Sequence, residues 1–178
     1  SYDRLGLKYI DLFLIHFPSP NEGVTAATWK ALEEAKDSGI VRSIGVSNFM
    51  RGDLKELLEN SRIKPVVNQL EINPFNLMEE VDDFGYDNNI MTMAYSPLAK
   101  GRALEDGKVM KIAEKYNKTP AQIILRWAVQ RDLIPIPKTK DADRMKENLD
   151  LFDFSLTDEE LERITRIKKD SNFVKGHQ

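Results

Sequence analysis

The residues best suited to chemistry stand where short apolar runs of the chain end. Each run stops at side chains that form hydrogen bonds or carry charge: His16, Ser47 with Asn48, Asn68 with Gln69, Tyr95 with Ser96, and Lys138 with Thr139. Helix-like stretches separate the runs, and alternating strands and helices predict a parallel sheet covered by helices. Because such sheets carry their sites at the carboxyl ends of the strands, these positions predict one face of an active or binding site.

A cationic pair near the last of these positions indicates a possible phosphate site. Lys138 and Arg144 flank a predicted helix start, where free backbone N–H groups favour anions. Charge-assisted hydrogen bonds from the two side chains would strengthen the binding. A solvated charged turn is the alternative interpretation, because Lys140 and Lys146 lie nearby without an evident task.

The elements that position these residues are predicted from apolar spacing and helix caps. Strands are expected at 9–15, 44–46, 65–67, 91–94 and 133–137. Helices are expected at 25–38, 53–60 and 141–148, and after two capping boxes that open at Thr119 and Thr157. Gly39 is expected to end the first helix.

Composition excludes several classes of function. The net charge is only −3, which gives no reason to expect a nucleic acid or an acidic membrane surface as partner. The chain has no cysteine, so disulfides and thiolate catalysis are excluded, and with two histidines no zinc site of the Cys/His kind is expected. No apolar stretch approaches the roughly 20 residues of a membrane span.

Familiar catalytic motifs are absent or imperfect. Residues 101–108 place five residues between two glycines with no hydroxyl after the lysine, so we expect a surface turn rather than a phosphate loop. Neither a Gly-x-Gly-x-x-Gly nor a Gly-x-Ser-x-Gly pattern occurs. The carboxylate pairs Asp82-Asp83 and Glu159-Glu160 are expected on solvated helix faces.

The first residues have the pattern of the last turn of a helix. Residues 1–5 read as a last helical turn ended by Gly6, and an isolated turn has little reason to form. We therefore expect Ser1 to be a cut end. An eight-stranded α/β barrel needs about 250 residues, so 178 residues would supply only part of one.

Several separated motifs, in order, resemble the aldo-keto reductase family. Residues 5–16 resemble its fourth strand with the catalytic histidine, 39–49 its second signature, and 136–139 with Arg144, Glu147 and Asn148 its third. Asn68-Gln69 and 94–98 lie between them in the family's order. The resemblance implies an α/β fold, a (β/α)8 TIM-type barrel that is incomplete here, with about strands four to eight. It also implies that residues 1–178 are a single NADP-dependent oxidoreductase domain, incomplete at its N-terminus.

The resemblance assigns a role to each matched residue. His16 would orient the substrate carbonyl and support proton donation, and Phe17 would shape the substrate pocket where many members carry tryptophan. Ser47, Asn48 and Gln69 would bind the nicotinamide carboxamide, Tyr95 would stack on its ring, and Ser96 and Leu98 would lie on the pyrophosphate side. Lys138, Thr139 and Arg144 would contact the 2′-phosphate of NADP(H), and Glu147 and Asn148 the adenine. Strand-end capping for Ser47 and core packing for Tyr95 are the alternatives.

The function implied is NADPH-dependent reduction of a small aldehyde or ketone to the alcohol, by a cytoplasmic enzyme without metal. The family's tyrosine acid, with its lysine and aspartate, belongs to strands that precede this chain, and Tyr2 does not match it. We therefore expect weak or no turnover from this chain alone, and instability or association, whereas a complete barrel would be a monomer. A non-catalytic NADP-binding regulatory module and a non-functional truncated product are the alternatives.

Overall fold

The computed structural model describes residues 6–167, which form two compact units. The first unit holds the chain up to Leu70 together with Glu79–Thr92. The second holds Glu71–Met78 and the chain from Met93 onward. The predicted helical turn at residues 1–5 and the tail after Asp170 lie outside the described residues.

The first unit alternates strands and helices as expected. Its elements are β1 (Ile10–Ile15), α1 (Val24–Asp37), β2 (Val41–Ser47), α2 (Arg51–Asn60), β3 (Val67–Glu71, up to Leu70 in this unit) and α3 (Glu79–Asp87). β2 runs parallel to both β1 and β3. Ser47 is paired with Gln69 in this register, so the chain brings two of the predicted site residues to adjacent strands.

Close approach of the three strands depends on Gly45 in β2. A Cβ atom added there would lie 2.8 Å from Leu14 Cδ2 and 2.8 Å from the Val67 carbonyl oxygen. Any side chain at this position would therefore push β1 and β3 apart.

The core of the first unit lies between its strands and helices. Ile44, Val46, Leu54 and Leu70 are buried there with Trp29, whose indole Nε1 donates to the Ile63 carbonyl oxygen at 3.0 Å. The apolar faces of α1 and α2 thus pack on the strands, which fixes the loops that follow the strands.

The second unit contains the remaining elements. These are β4 (Met91–Tyr95, from Met93 in this unit), a 3₁₀ segment (Ala99–Glu105), α4 (Gly107–Tyr116), α5 (Pro120–Gln130), β5 (Ile134–Ile136), α6 (Ala142–Leu149) and α7 (Asp158–Thr165). β4 and β5 are parallel, with Tyr95 opposite Ile136. The core is built on α5, where Ile123, Ile124 and Trp127 are buried.

Helix caps predicted from the sequence are confirmed. Thr119 and Thr157 each accept a hydrogen bond from the backbone N–H three residues on, and Gln122 and Glu160 complete the two capping boxes. Gly39 has φ +78°, the left-handed conformation that ends α1.

Three expectations were wrong. Residues 101–108 are not a simple surface turn but a 3₁₀ segment with a buried Ala103, followed by α4. The Asp106 side chain accepts from Lys108 N and Val109 N, and this cap starts a helix that apolar spacing had not revealed. Glu160 is not solvated but only 6% exposed, because it is bonded to residues of α4. The strand predicted at 65–67 was expected to stop before Asn68. The observed strand is Val67–Glu71, which includes both Asn68 and Gln69.

Within residues 6–167, every helix is too short or too polar to cross a membrane.

Candidate functional site

The first unit gathers four predicted residues at its strand ends, and we call His16, Ser47, Asn48 and Gln69 the strand-end cluster. His16 directly follows β1, Ser47 ends β2, and Gln69 lies in β3. Asn48 joins them: its backbone N–H donates to the Gln69 carbonyl oxygen at 2.8 Å, and its Nδ2 donates to the His16 carbonyl oxygen at 3.1 Å. The side chain and the main chain of Asn48 thereby link the ends of three neighbouring strands.

Asn48 adopts a backbone conformation that few side chains accept. Its φ is +60°, in the left-handed region that Asn tolerates better than most residues. The turn lets Asn48 Nδ2 reach Ser47 Oγ at 3.1 Å, while Ser47 Oγ donates to the Gln69 carbonyl oxygen at 2.9 Å. The buried Ser47 hydroxyl is thus bonded on both sides by neighbouring protein groups.

The imidazole of His16 is exposed, in contrast to the buried Ser47. It lies against the ring of Phe17, with 4.7 Å between the ring centroids and 52° between the planes. Phe17 is exposed as well. His16 is thus exposed at the end of β1, with an aromatic surface beside its ring.

Asn68 was grouped with Gln69 among the predicted strand-end positions, but the sequence assigned it no role of its own. It is buried on the face of β3 opposite to Gln69, and its Nδ2 donates to the Phe49 carbonyl oxygen at 2.8 Å. This bond supports the turn that carries Asn48. The signal was available in the sequence, since an amide inside an apolar strand needs a buried partner.

The second unit holds Tyr95 at the end of β4, and Ser96 and Leu98 in the strained turn that follows. Burial, and then the nearby Glu71 carboxylate, raise the pKa of the Tyr95 phenol. Ser96 has φ +49°, and its carbonyl oxygen accepts from Ala99 N at 2.9 Å. Left-handed φ values recur just after Leu98, at Ala99 and the next two residues. Such strain costs about 1–3 kcal/mol per non-glycine residue and is concentrated at functional sites.

Lys138 and Arg144 flank the start of α6, as predicted, but the helix N-terminus itself is already occupied. Asp141 accepts from Asp143 N at 2.9 Å and from Arg144 N at 3.1 Å, and these two bonds lower the pKa of Asp141. Thr139 Oγ1 in turn accepts from Asp141 N at 3.1 Å. The expectation of free N–H groups for a phosphate was therefore wrong, because an acidic cap takes them.

The side chains of Lys138 and Arg144 are exposed and donate no hydrogen bond to other residues of the described part, 6–167. A phosphate at this position would have to be bound by these two cations rather than by helix N–H groups.

Glu147 and Asn148 occupy the last turn of α6. The Glu147 Oε1 atom accepts from the Thr119 hydroxyl at 2.6 Å, which links α6 to the start of α5. Asn148 is half-buried beside it. One residue predicted to contact adenine is therefore also a structural acceptor.

A cavity of about 820 Å³ lies elsewhere in the first unit, between the loop at 18–23 and helices α1 and α2. It is lined by Trp29, Glu33, Phe49 and Arg62 among others, and by none of the predicted site residues. The buried Glu33 carboxylate accepts from Arg62 N and Ile63 N at 2.8 and 2.7 Å, which gives it a structural task. Among residues 6–167, no three His, Cys, Asp or Glu side chains are grouped as a metal site would require.

Comparison with known proteins gives consistent matches. The model of the "Aldo/keto reductase family" matches residues 1–169. Glyoxal reductase of Bacillus subtilis is 43% identical over 170 residues, which are 96% of this chain and 61% of that protein. 2,5-Diketo-D-gluconic acid reductase B of a Corynebacterium is 41% identical, over 95% of this chain and 61% of that protein. The crystal structure of a Bombyx mori aldo-keto reductase in complex with NADP has a TM-score of 0.86 at 41% identity, over 92% of this chain and 59% of that one.

These matches settle the fold and the family. The chain spans about 61% of the length of the curated relatives it matches. Its parallel strands and their helices are part of the (β/α)8 barrel expected from the sequence, about strands four to eight. The chain belongs to the aldo/keto reductase family.

Proposed function

We propose that this chain is the carboxyl-terminal part of an NADPH-dependent aldo-keto reductase that reduces a small aldehyde or ketone to the alcohol. The proposal treats residues 1–178 as one oxidoreductase domain. The hydrogen-bonded strand-end cluster carries the proposal, because it ties the main chain of His16 to the amide of Asn48 at 3.1 Å. Two relatives named as reductases of carbonyl compounds and one solved with NADP support it.

The first unit is proposed to hold the nicotinamide amide and the carbonyl. Gln69 carries an amide group that both donates and accepts, which suits a carboxamide partner, and Asn48, whose Nδ2 donates within the cluster, would take part through its amide oxygen as an acceptor. The exposed His16 imidazole is proposed to donate a hydrogen bond to the carbonyl oxygen, where negative charge develops as the carbon is reduced. NADPH, when bound, would supply the hydride for the carbonyl carbon.

The second unit is proposed to hold the ring face, the pyrophosphate and the adenosine. Tyr95 would stack on the nicotinamide ring, and Ser96 and Leu98 would line the pyrophosphate. Lys138 and Arg144, with Thr139 between them, are proposed to meet the 2′-phosphate, since a guanidinium and an ammonium recognise phosphate by charge and hydrogen bonds. This pair favours NADPH over NADH.

Weak or absent turnover is proposed for the 178 residues by themselves. The residues that match the family's tyrosine acid, with its lysine and aspartate, are not among them, so no group in place of that acid protonates the oxygen. A cytoplasmic location stays a prediction from the sequence.

The test compares binding with turnover. NADPH binding to the 178-residue chain is measured by cofactor fluorescence, and NADPH oxidation is followed at 340 nm with glyoxal as the probe. We expect saturable binding with tighter affinity for NADPH than for NADH, and little oxidation. The charge-removing double variant Lys138→Met/Arg144→Met should abolish the preference, whereas Lys140→Met, a neighbouring exposed lysine, should leave it unchanged. Equal affinity for the two cofactors in the unmodified chain would refute the proposal.

The second candidate is a non-catalytic NADP-binding module. The specific observation in its favour is that most of the residues matched in the sequence are cofactor contacts. The longer protein distinguishes the candidates: NADPH binding with glyoxal reduction supports the enzyme, and binding without reduction of any aldehyde or ketone supports the module.

A further inference from the structure

Helix α6 carries Arg144, Glu147 and Asn148, yet none of its eight residues is buried. Its two large apolar residues, Met145 and Leu149, are 48% and 75% exposed. Short helices are unstable alone and are normally held by an apolar face packed on a core. Because α6 buries no such face within residues 6–167, polar contacts must fix its position.

Those polar contacts come from the residues at the start of α5, and we call Lys118, Thr119 and Gln122 the α5 clasp. The Lys118 ammonium lies 2.8 Å from Asp150 Oδ2 and 2.7 Å from Asp153 Oδ2, just beyond the end of α6. Gln122 Nε2 donates to the Asp150 carbonyl oxygen at 2.9 Å. The Thr119 hydroxyl donates to Glu147, one helical turn before Asp150. The clasp therefore bonds the last turn of α6 and the residues after it.

Lys118 is the charged centre of this clasp. Its side chain is 12% exposed and lies 5.4 Å from the centroid of the Phe154 ring. Hydrogen bonds to Asp150 and then Asp153 raise the pKa of Lys118, so the ammonium stays charged throughout the neutral range. The two carboxylates are themselves 59% and 57% exposed, so the Lys118 bonds are charge-assisted but remain partly open to solvent.

We propose that the α5 clasp sets the position of α6, which makes Lys118 a positioning residue for the recognition of a nucleotide 2′-phosphate by Arg144. The inference rests on the proposed function, in which Arg144 meets that phosphate. Arg144 and Glu147 are three residues apart on one helical face. A loosened clasp therefore lets the helix tilt about its Asp141 cap and moves the guanidinium away from its partner.

The experiment uses two probes that differ by one phosphate group. The dissociation constants of 2′,5′-ADP and of 5′-ADP are measured by calorimetry on the full 178-residue chain. In Lys118→Met we expect binding of 2′,5′-ADP to weaken about tenfold, the lower end for loss of a hydrogen bond to a charged group. Binding of 5′-ADP should change much less, so the preference ratio, which is the dissociation constant of 5′-ADP divided by that of 2′,5′-ADP, falls. Lys118→Arg should restore the ratio, and Lys111→Met, an exposed lysine of α4, should not alter it.

Asp153→Asn is the second variant, because it weakens the clasp while it keeps Lys118 and the hydrogen bond that Lys118 donates to Asp150. It should lower the ratio less than Lys118→Met does. If circular dichroism shows that Lys118→Met does not fold, Asp153→Asn still tests the inference. A purely structural role for Lys118 would weaken both probes equally. An unchanged ratio in a folded clasp variant would overturn the inference. An unmodified chain that does not prefer 2′,5′-ADP would refute the proposed function, and the inference with it.

Discussion

The buried carboxylate of Glu160 allows a quantitative test of how α7 is attached to α4. Its Oε1 atom lies 2.6 Å from the Lys115 ammonium, and its Oε2 atom accepts from the Tyr116 hydroxyl at 2.7 Å and from Thr157 N at 2.9 Å. Glu160→Gln keeps the shape of the side chain but removes its charge. The expected result is a loss of stability that depends on pH.

The magnitude follows from the pKa. Burial by itself raises the pKa of Glu160, but hydrogen bonds from Lys115, from the Thr157 N–H and from Tyr116 outweigh it and lower the pKa to about 2, from an ordinary 4.5. A depressed carboxyl pKa stabilises the folded state above pH 4.5, and this stability is lost as the pH falls towards 2. The full shift corresponds to about 3 kcal/mol. Since Lys115 is 57% exposed and solvent screens its charge, we expect about 2 kcal/mol.

Urea unfolding of the unmodified chain and of Glu160→Gln, at pH 7 and at pH 3, measures the effect. The difference between the two free energies of unfolding should be about 2 kcal/mol at pH 7 and should shrink by more than half at pH 3, because the carboxylate of the unfolded chain is then mostly protonated. Glu159→Gln is the matched control, since Glu159 is exposed and, among residues 6–167, pairs only with Arg163 one turn on. If the difference in the free energy of unfolding were the same at both pH values, the charge of Glu160 would not be what attaches α7 to α4.

Two further predictions concern the support of the strand-end cluster. Gly45→Ala should lower the free energy of unfolding by about 1–3 kcal/mol in urea, because the added methyl group meets the Val67 carbonyl oxygen; Gly52→Ala, where the space is open, is the control, and an equal loss there would contradict the reasoning. Asn68→Asp should cost about 1–3 kcal/mol at pH 7, since the donor to the Phe49 carbonyl oxygen is lost. The loss should be smaller at pH 4, where a protonated carboxyl group can donate, and a loss independent of pH would argue against this bond.

Local signals in the sequence predicted much of the fold. The apolar runs gave strands close to their observed positions, and the Thr119 and Thr157 capping boxes opened α5 and α7 as expected. Caps and turns are decided by a few neighbouring residues, so their patterns survive in the sequence. No bounds were predicted for α3, although Asp82-Asp83 were expected on a helix face, and α4 was not predicted at all. Both helices are short and each contains a glycine, Gly85 or Gly107, which lowers the helix propensity of the segment.

The candidate site, like the fold, was predicted from the sequence only in part. The ordered motifs at the strand ends were enough to select His16, Ser47, Asn48 and Gln69 from the amino-acid sequence alone. The sequence could not reveal that the amide of Asn48 bonds the main chain of His16, since that contact spans 32 positions and exists only in the strand register. It placed Asp141 at the start of a helix, but it did not reveal that the Asp141 side chain accepts from the N–H groups of Asp143 and Arg144 that were expected to bind a phosphate.

The sequence by itself determined the residue types, their order and the local caps, and these sufficed to predict the barrel fold and the family. Tertiary structure alone decided which groups are partners. Glu160 was predicted as a solvated acid because its neighbours in sequence are charged, yet Lys115 and Tyr116 approach it from 45 and 44 positions away. Burial and pairing depend on the packing of distant segments. A short polar pattern therefore predicts an exposed surface, even where the folded chain covers it.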